Sequence, residues 1–394
     1  MDQENSFWKK LKIDRSHESI FTSWCFEVDK KLVWLVLLML LVAVIMAISS
    51  GSANFVRTGG RVQWYVFFLR TMLFCSVGLL TMICISMTSK KTIMKIAWTD
   101  LIICFLLLIG TVLLPHKWNG SHRWLIISGF PKIMPSDLMK PGFLIITAWF
   151  ISKMKSIYGK DMFDLKKTLF QVKTWSWAWY LAPLIIMMAI QFWHPDIGTM
   201  LLYLLTLGVM LLLAGMPMKQ VWSLCGVGAG LGLLAFKLMS HVFARTSSFF
   251  GPVDPTSQVG IALRAIRNGG LFGAGDKAEI VEHLAMAESD FVLSVISENF
   301  GAIISCVLIV LLAMVVIHLL RQSRCVRDYF SSCAIGGAAA MFGFQACINI
   351  ASTLRLMPAK GMSLPFISHG GSSLIAYCLL FGMILALMRE DKWK

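Results

Sequence analysis

The chain reads as an all-α polytopic membrane protein of about ten transmembrane helices, with one large extracytoplasmic loop between spans seven and eight. Three observations predict this. Apolar residues make up 57% of the 394 residues and charged ones only 14%, well below the quarter typical of soluble chains. Apolar runs of about 20 residues recur along the chain, each long enough to cross roughly 30 Å of hydrocarbon. Those runs are continuous rather than alternating, which excludes a transmembrane barrel.

The elements follow in order. Residues 1–31 are polar and basic, with Lys9, Lys10, Lys12, Lys30 and Lys31, and the run that follows has no A-x-A cleavage site. The run at 32–49 is therefore expected to be a retained anchor behind a cytoplasmic segment. Further spans are expected at 63–86, 95–114, 138–152, 175–193, 197–214, 220–240, 291–319, 331–351 and 371–388. Residues 32–388 then form one transmembrane domain, and 389–394 are a short tail. With the amino terminus inside, Lys and Arg favour the inner links by roughly two to one, so both termini are expected in the cytoplasm. The outer links are 50–62, 115–137, 194–196, 241–290 and 352–370. The segment 241–290 is the largest soluble piece and shows short amphipathic stretches rather than a core. No internal repeat is visible, which disfavours many secondary transporter folds.

The formal net charge of +15 raises nucleic acid as a partner. Position argues against it, because the cations sit in short links and no basic helix with interleaved aromatics occurs. They suit anionic membrane lipids instead. The ten cysteines lie mostly in apolar runs with no CxxC pair, so they are expected to behave as small hydrophobes.

Polar residues at membrane depth are costly and mark packing devices or functional sites. The densest group begins at Asp290. A helix starting there puts Ser294, Ser297, Glu298 and Gly301 in one quadrant with Asp290, and Glu298 about 12 Å deeper. Helix capping, catalysis, cation coordination and pairing with arginine all stay open for Asp290; Glu298 is a buried paired acid or part of a polar cavity. A second group, Pro135-Ser136-Asp137 with Lys140, follows Arg123-Trp124. Ser136 or Asp137 is expected to cap the fourth span, and Lys140 and Arg123 either meet a pyrophosphate or snorkel to headgroups. A third, His194 to Thr199 with Asp196, reads as a tight turn, and the fourth is Pro365 to Ser373 with Ser368, His369 and a Gly370-Gly371 pair. His369 is expected to be structural. Arg70 is expected to pair with an acid across the bundle, and Gly226, Gly228, Gly230 and Gly232 to form a helix-packing stripe. The Gly270–Lys277 run lacks phosphate-loop spacing, and no metalloprotease or nucleophile-elbow motif occurs.

In this order the groups resemble the SEDS family (shape, elongation, division and sporulation) of FtsW and RodA proteins. Arg123-Trp124 and Pro135 to Lys140 resemble RW…QPSE-x-x-K, and His194 to Thr199 resembles QPDLGT. Asn268 to Gly275 is similar to GSGGLFGxG, and Asp290 to Gly301 to DFIFAVIAEELG. Pro358 to Ser373 is similar to LPxKGxxLPFISYGGSS, with wording that leans toward the division branch. Glu288, Ser289, Asn299 and His369 depart from the motifs. The resemblance implies a glycosyltransferase that polymerises lipid II on the outer face of the cytoplasmic membrane during division. It also implies a class B penicillin-binding protein as partner, beside other division proteins. Asp290 takes the position of the family's essential aspartate, the candidate general base. Lys140, Arg123, Asp137, Glu298, Asp196, Ser368 and His369 occupy other motif positions as candidate substrate contacts. Lys140, Arg123, Arg264, Arg267 or a divalent cation, Mg or Mn, would neutralise the departing undecaprenyl pyrophosphate. A lipid II flippase and a non-catalytic division scaffold are the rival readings.

Overall fold

A computed structural model describes residues 20–57, 63–113, 124–125, 133–168, 176–194, 196–238, 240–275, 278–284 and 286–391. Its helices are α1 (Ile20–Glu27), α2 (Lys30–Arg57), α3 (Trp64–Ser86), α4 (Lys90–Leu113), α5 (Pro135–Leu138), α6 (Lys140–Tyr158), α7 (Leu165–Thr168), α8 (Trp177–Trp193), α9 (Ile197–Leu213), α10 (Met218–Leu238), α11 (Ser240–Phe250), α12 (Gln258–Gly269), α13 (Val292–Cys325), α14 (Tyr329–Thr353) and α15 (Gly371–Asp391). An isolated bridge between Leu125 and Ile133 is the one extended pairing among the described residues.

The long helices fall where the apolar runs lie. Six of them, α2, α3, α4, α13, α14 and α15, are long and apolar enough to cross a membrane. Helices α8 and α9 are equally apolar but have 17 residues each, about 25 Å at 1.5 Å per residue. Helix α6 carries Lys140, Lys153 and Lys155 along its 19 residues.

Burial separates two kinds of helix. In α14 and α15, 72% and 78% of the apolar window is buried, against 28% in α3 and 22% in α4. Small residues make the centre possible: a Cβ on Gly337 of α14 would stand 2.8 Å from Met210 Sδ of α9, so the missing side chain leaves room for Met210 to lie against the α14 backbone. The Gly226–Gly232 stripe of α10 does not behave this way. A Cβ on any of its four glycines would meet nothing within 4 Å, so among the described residues the stripe is not the packing seam expected of it.

Helix α13 is two segments rather than one. Gly301 interrupts it with φ 84° and ψ 174°, a conformation open essentially to glycine alone. The groups freed by the break are satisfied by the glycine-rich segment 269–275. Gly270 O and Leu271 O accept from Ala302 N–H (2.9 Å) and Ile303 N–H (3.3 Å), while Ala274 N–H donates to Glu298 O at 2.8 Å. The polar quadrant expected to descend from Asp290 along a continuous span is therefore confined to the short segment before Gly301. The run that failed as a phosphate loop is the splint of this kink. The segment 241–290 also packs more than expected, since Ile261, Ala262, Ala265, Val281, Leu284 and Ala287 join the main core.

At the opposite end of the bundle, Asp29 Oδ2 lies 3.0 Å from both His318 Nε2 and Gln322 Nε2. Arg389 donates to the carbonyls of Met87 and Thr88. The two ends of the described chain are thus tied to the α3–α4 link and to α13.

Candidate active site

Asp290 stands in the turn 286–290, before Phe291, which occupies the position capping α13. It is half-buried. The turn is held through its main chain. Three successive carbonyls accept from elsewhere: Glu288 O from His369 N–H (2.8 Å), Ser289 O from Ser368 Oγ (2.6 Å) and Asp290 O from Asn349 Nδ2 (2.9 Å). The carboxylate lies against exposed Gly361, where a Cβ would stand 2.6 Å from Asp290 Oδ2. A partly exposed carboxylate on a turn held at three successive carbonyls is suited to taking a proton from a bound hydroxyl.

The structure brings the other motifs to the same end and gives them different tasks. Lys140 is not at a headgroup surface. It is 1% exposed, paired with Asp137 Oδ1 at 2.6 Å, donating to Gln345 Oε1 at 2.7 Å, with its Nζ 5.3 Å from the Tyr377 ring centroid. Tyr377 is six residues into α15, about 9 Å from its end. Neither Ser136 nor Asp137 caps a helix: Met134 precedes α5 with no side-chain cap, Ser136 O accepts from Tyr203, and Asp137 holds Lys140. Removing one partner of a buried pair strands the other's charge. Lys140→Met is therefore expected to lower stability by about 3–5 kcal/mol, read as a fall in melting temperature in detergent. Adding Asp137→Leu should restore most of the loss.

Glu298 is fully buried. Its Oε1 accepts from Asn268 Nδ2 (2.8 Å) and Ile280 N–H (3.0 Å), and its Oε2 from Val281 N–H (2.8 Å). It ties the 268–281 segment to α13 rather than presenting an oxygen to a sugar. Ser368 Oγ accepts from Leu364 N–H at 2.7 Å and donates to Ser289 O, so it too is a clamp. Asp196 is 2% exposed at the start of α9. Beside it Gly198 leaves room for the Lys360 stem, since a Cβ there would overlap Lys360 Cε; the third motif is docked on the fourth. Arg264 and Arg267 are exposed on α12. Arg70, expected to pair with an acid, makes no ion pair among the described residues and lies exposed on α3, near His369. Arg123 lies outside the described residues.

His369 lines a small recess with Ala43, Met46, Ala47 and Ser50 of α2 and Phe67 and Thr71 of α3. Its ring stacks on Phe67 at 3.8 Å between centroids, and Nδ1 lies 2.7 Å from Thr71 Oγ1. Burial, then the Arg70 guanidinium, push its pKa down to about 4, below the ordinary 6.5 of an unfolded chain. The neutral ring is therefore the folded form. Its contribution to stability is present above pH 6.5 and is lost as pH falls through 6.5 toward 4, where the unfolded chain takes the proton first. Melting temperatures across that range should fall, and His369→Tyr should flatten the slope.

Two contributors escaped the sequence reading. Gln345 and Asn349 stand four residues apart on one face of α14. Gln345 joins Lys140 and Tyr377 Oη to the carbonyl of Ser363. Asn349 joins Asp290 to Met362. The available signal was a pair of amides at helical spacing in an otherwise apolar run. For a divalent cation, no group of three or more His, Cys, Asp or Glu side chains among the described residues is close enough to hold one.

A family model described as a cell cycle protein, covering FtsW, RodA and SpoVE, matches residues 30–393. The chain belongs to this family. Its relatives include the probable peptidoglycan glycosyltransferase FtsW of Caulobacter vibrioides, 32% identical over 379 residues, which cover 95% of this chain and 93% of that protein. The protein of the same description from Coxiella burnetii is 28% identical, over 94% of this chain and 98% of that one. Among solved structures, a chain of a peptidoglycan synthase complex described as coordinating polymerization and crosslinking superposes with a TM-score of 0.72. Its identity is 22%, and 93% of this chain and 99% of that one are covered. The rod shape determining protein RodA of Thermus thermophilus follows at 0.65, again 22% identical, over 92% and 97%. This member of the FtsW/RodA/SpoVE family is thus a multi-pass membrane protein with the family's fold along nearly its whole length.

Proposed function

We propose that this chain polymerises lipid II into glycan strands, on the outer face of the inner membrane at the division septum, with both termini in the cytoplasm. The observation that carries the reading is Asp290, a partly exposed carboxylate on a turn held by three hydrogen bonds to its carbonyls, at the end where the described polar motifs gather. In this reading Asp290 accepts the proton of the acceptor sugar's 4-hydroxyl as that oxygen bonds to the donor's anomeric carbon. The bond from that carbon to phosphate breaks, and undecaprenyl pyrophosphate leaves with the electron pair. The exposed cations Arg70, Arg264 and Arg267, rather than buried Lys140, are the groups available to meet the departing charge. A class B penicillin-binding protein cross-links the product, and other division proteins meet the cytoplasmic segments.

The test uses purified protein with lipid II, with and without a cognate transpeptidase, in vesicles. A ladder of glycan strands on a gel is the expected product. Loss of fluorescent lipid II signal to dithionite without any ladder would instead support a flippase. A carrier needs polar groups along its whole path, whereas the described family motifs gather at one end.

A further inference from the structure

We infer that Asn349 is a positioning residue for the transfer reaction, setting the height of Asp290 against the loop that carries Gly361. This rests on the reading of Asp290 as general base. Asn349 is fully buried on α14, and its Nδ2 makes two hydrogen bonds, to Asp290 O at 2.9 Å and to Met362 O at 2.6 Å. The amide orientation is forced, because a flipped group would set its oxygen against two carbonyl oxygens. One rigid side chain therefore spans the two segments that flank the carboxylate. Met362 adjoins Gly361, the residue against which Asp290 Oδ2 rests. Main-chain position on both sides of the carboxylate is thus referred to a single atom of the best-buried part of the bundle.

The neighbouring clamps do not duplicate this. Ser368 and His369 hold the carbonyls of Ser289 and Glu288, which fix the turn to the far end of the loop. Asn349 reaches both Asp290 and the residue beside Gly361. Gln345, one turn earlier on the same face, holds Ser363 O and the Lys140–Tyr377 group. It sets the next residue of the loop without touching Asp290. A displacement of about 1 Å at a catalytic group costs on the order of 10²-fold in rate, so a residue that sets this height acts on turnover more than on substrate binding.

The experiment measures kcat and KM for lipid II in the complex with the transpeptidase, per folded molecule counted by size-exclusion chromatography. Asn349→Asp keeps the shape but faces two carbonyl oxygens with an acceptor; Asn349→Leu keeps the volume and removes the donor. Both are expected to lower kcat at least tenfold with KM within about twofold, and to shift the acid limb of the kcat–pH profile. Gly361→Ala approaches the same joint from the other side, since its Cβ must displace the Asp290 carboxylate, and it keeps the test decisive where Asn349 variants fold poorly. It is expected to give the same split. A kcat per folded molecule within twofold of the parent in the Asn349 variants that fold, or in Gly361→Ala where none does, overturns the proposal, as does a loss confined to KM. Asp290→Asn runs alongside: if it polymerises normally, the general-base reading fails. If it is inactive while the Asn349 and Gly361 variants turn over normally, only the positioning role fails.

Discussion

Asp290→Asn is expected to reduce lipid II polymerisation by about 10²- to 10⁴-fold, the usual worth of a positioned general base. The protein should stay folded. The turn around Asp290 is held by the carbonyls of residues 288, 289 and 290, and none of those bonds uses the carboxylate. The elution profile should therefore match the parent's, and rates taken per folded molecule make the loss read as chemistry. Asp290→Glu sharpens the point. Its carboxylate is retained but reaches one methylene further, into the space where Gly361 already meets Oδ2. Its rate should also fall well below the parent's, because position and charge are both required. Initial rates from gel-resolved strands, with the transpeptidase present throughout, check both variants. A rate for Asp290→Asn within tenfold of the parent would remove Asp290 from the base role.

The second large effect is on the fold. Gly301→Ala is expected to destabilise the protein by about 3 kcal/mol or more, combining roughly 1–3 kcal/mol of backbone strain with a direct collision. A Cβ at Gly301 would run into the main chain of Leu271 and Gly273, neither of which is a flexible side-chain end. The splint would be expelled, leaving the groups freed at the break without partners. Glu298→Leu should act in the same direction, because it strips acceptors from Asn268, Ile280 and Val281 at roughly 1–3 kcal/mol for each buried donor left unmet. Thermal melting in detergent and proteolysis between residues 268 and 281 would report both. Retained melting temperature in Gly301→Ala would show that the break is not required.

Much of this architecture was legible in advance. Continuous apolar runs separated by basic links located the long helices, and the polar clusters named the end that carries the site. The break at Gly301 was not legible, because the apolar pattern runs through it and a lone glycine inside a helix is common. What forces the kink is a backbone approach from residues 269–275, about thirty positions earlier. Lys140 failed for a related reason. Its partner Asp137 is three residues away and could be read locally, whereas Gln345 and Tyr377, which complete its burial, come from α14 and α15. Catalytic-type residues announce themselves by type, but the amides that hold them, such as Asn349, do so only once the helices are packed.

The site is referenced to α14 and α15, of whose apolar windows 72% and 78% are sheltered by protein, while α3 and α4 present most of theirs outward. When a bilayer thickens or thins, helices answer by tilting, at a cost of fractions of a kcal/mol per Å. Here α3 carries that adjustment to the site, because its Phe67 stacks on His369 and its Thr71 bonds to that ring, and His369 N–H holds Glu288 O of the Asp290 turn. Turnover should consequently vary with acyl-chain length, and His369→Ala, which cuts the contact with α3, should weaken that dependence in vesicles of graded thickness.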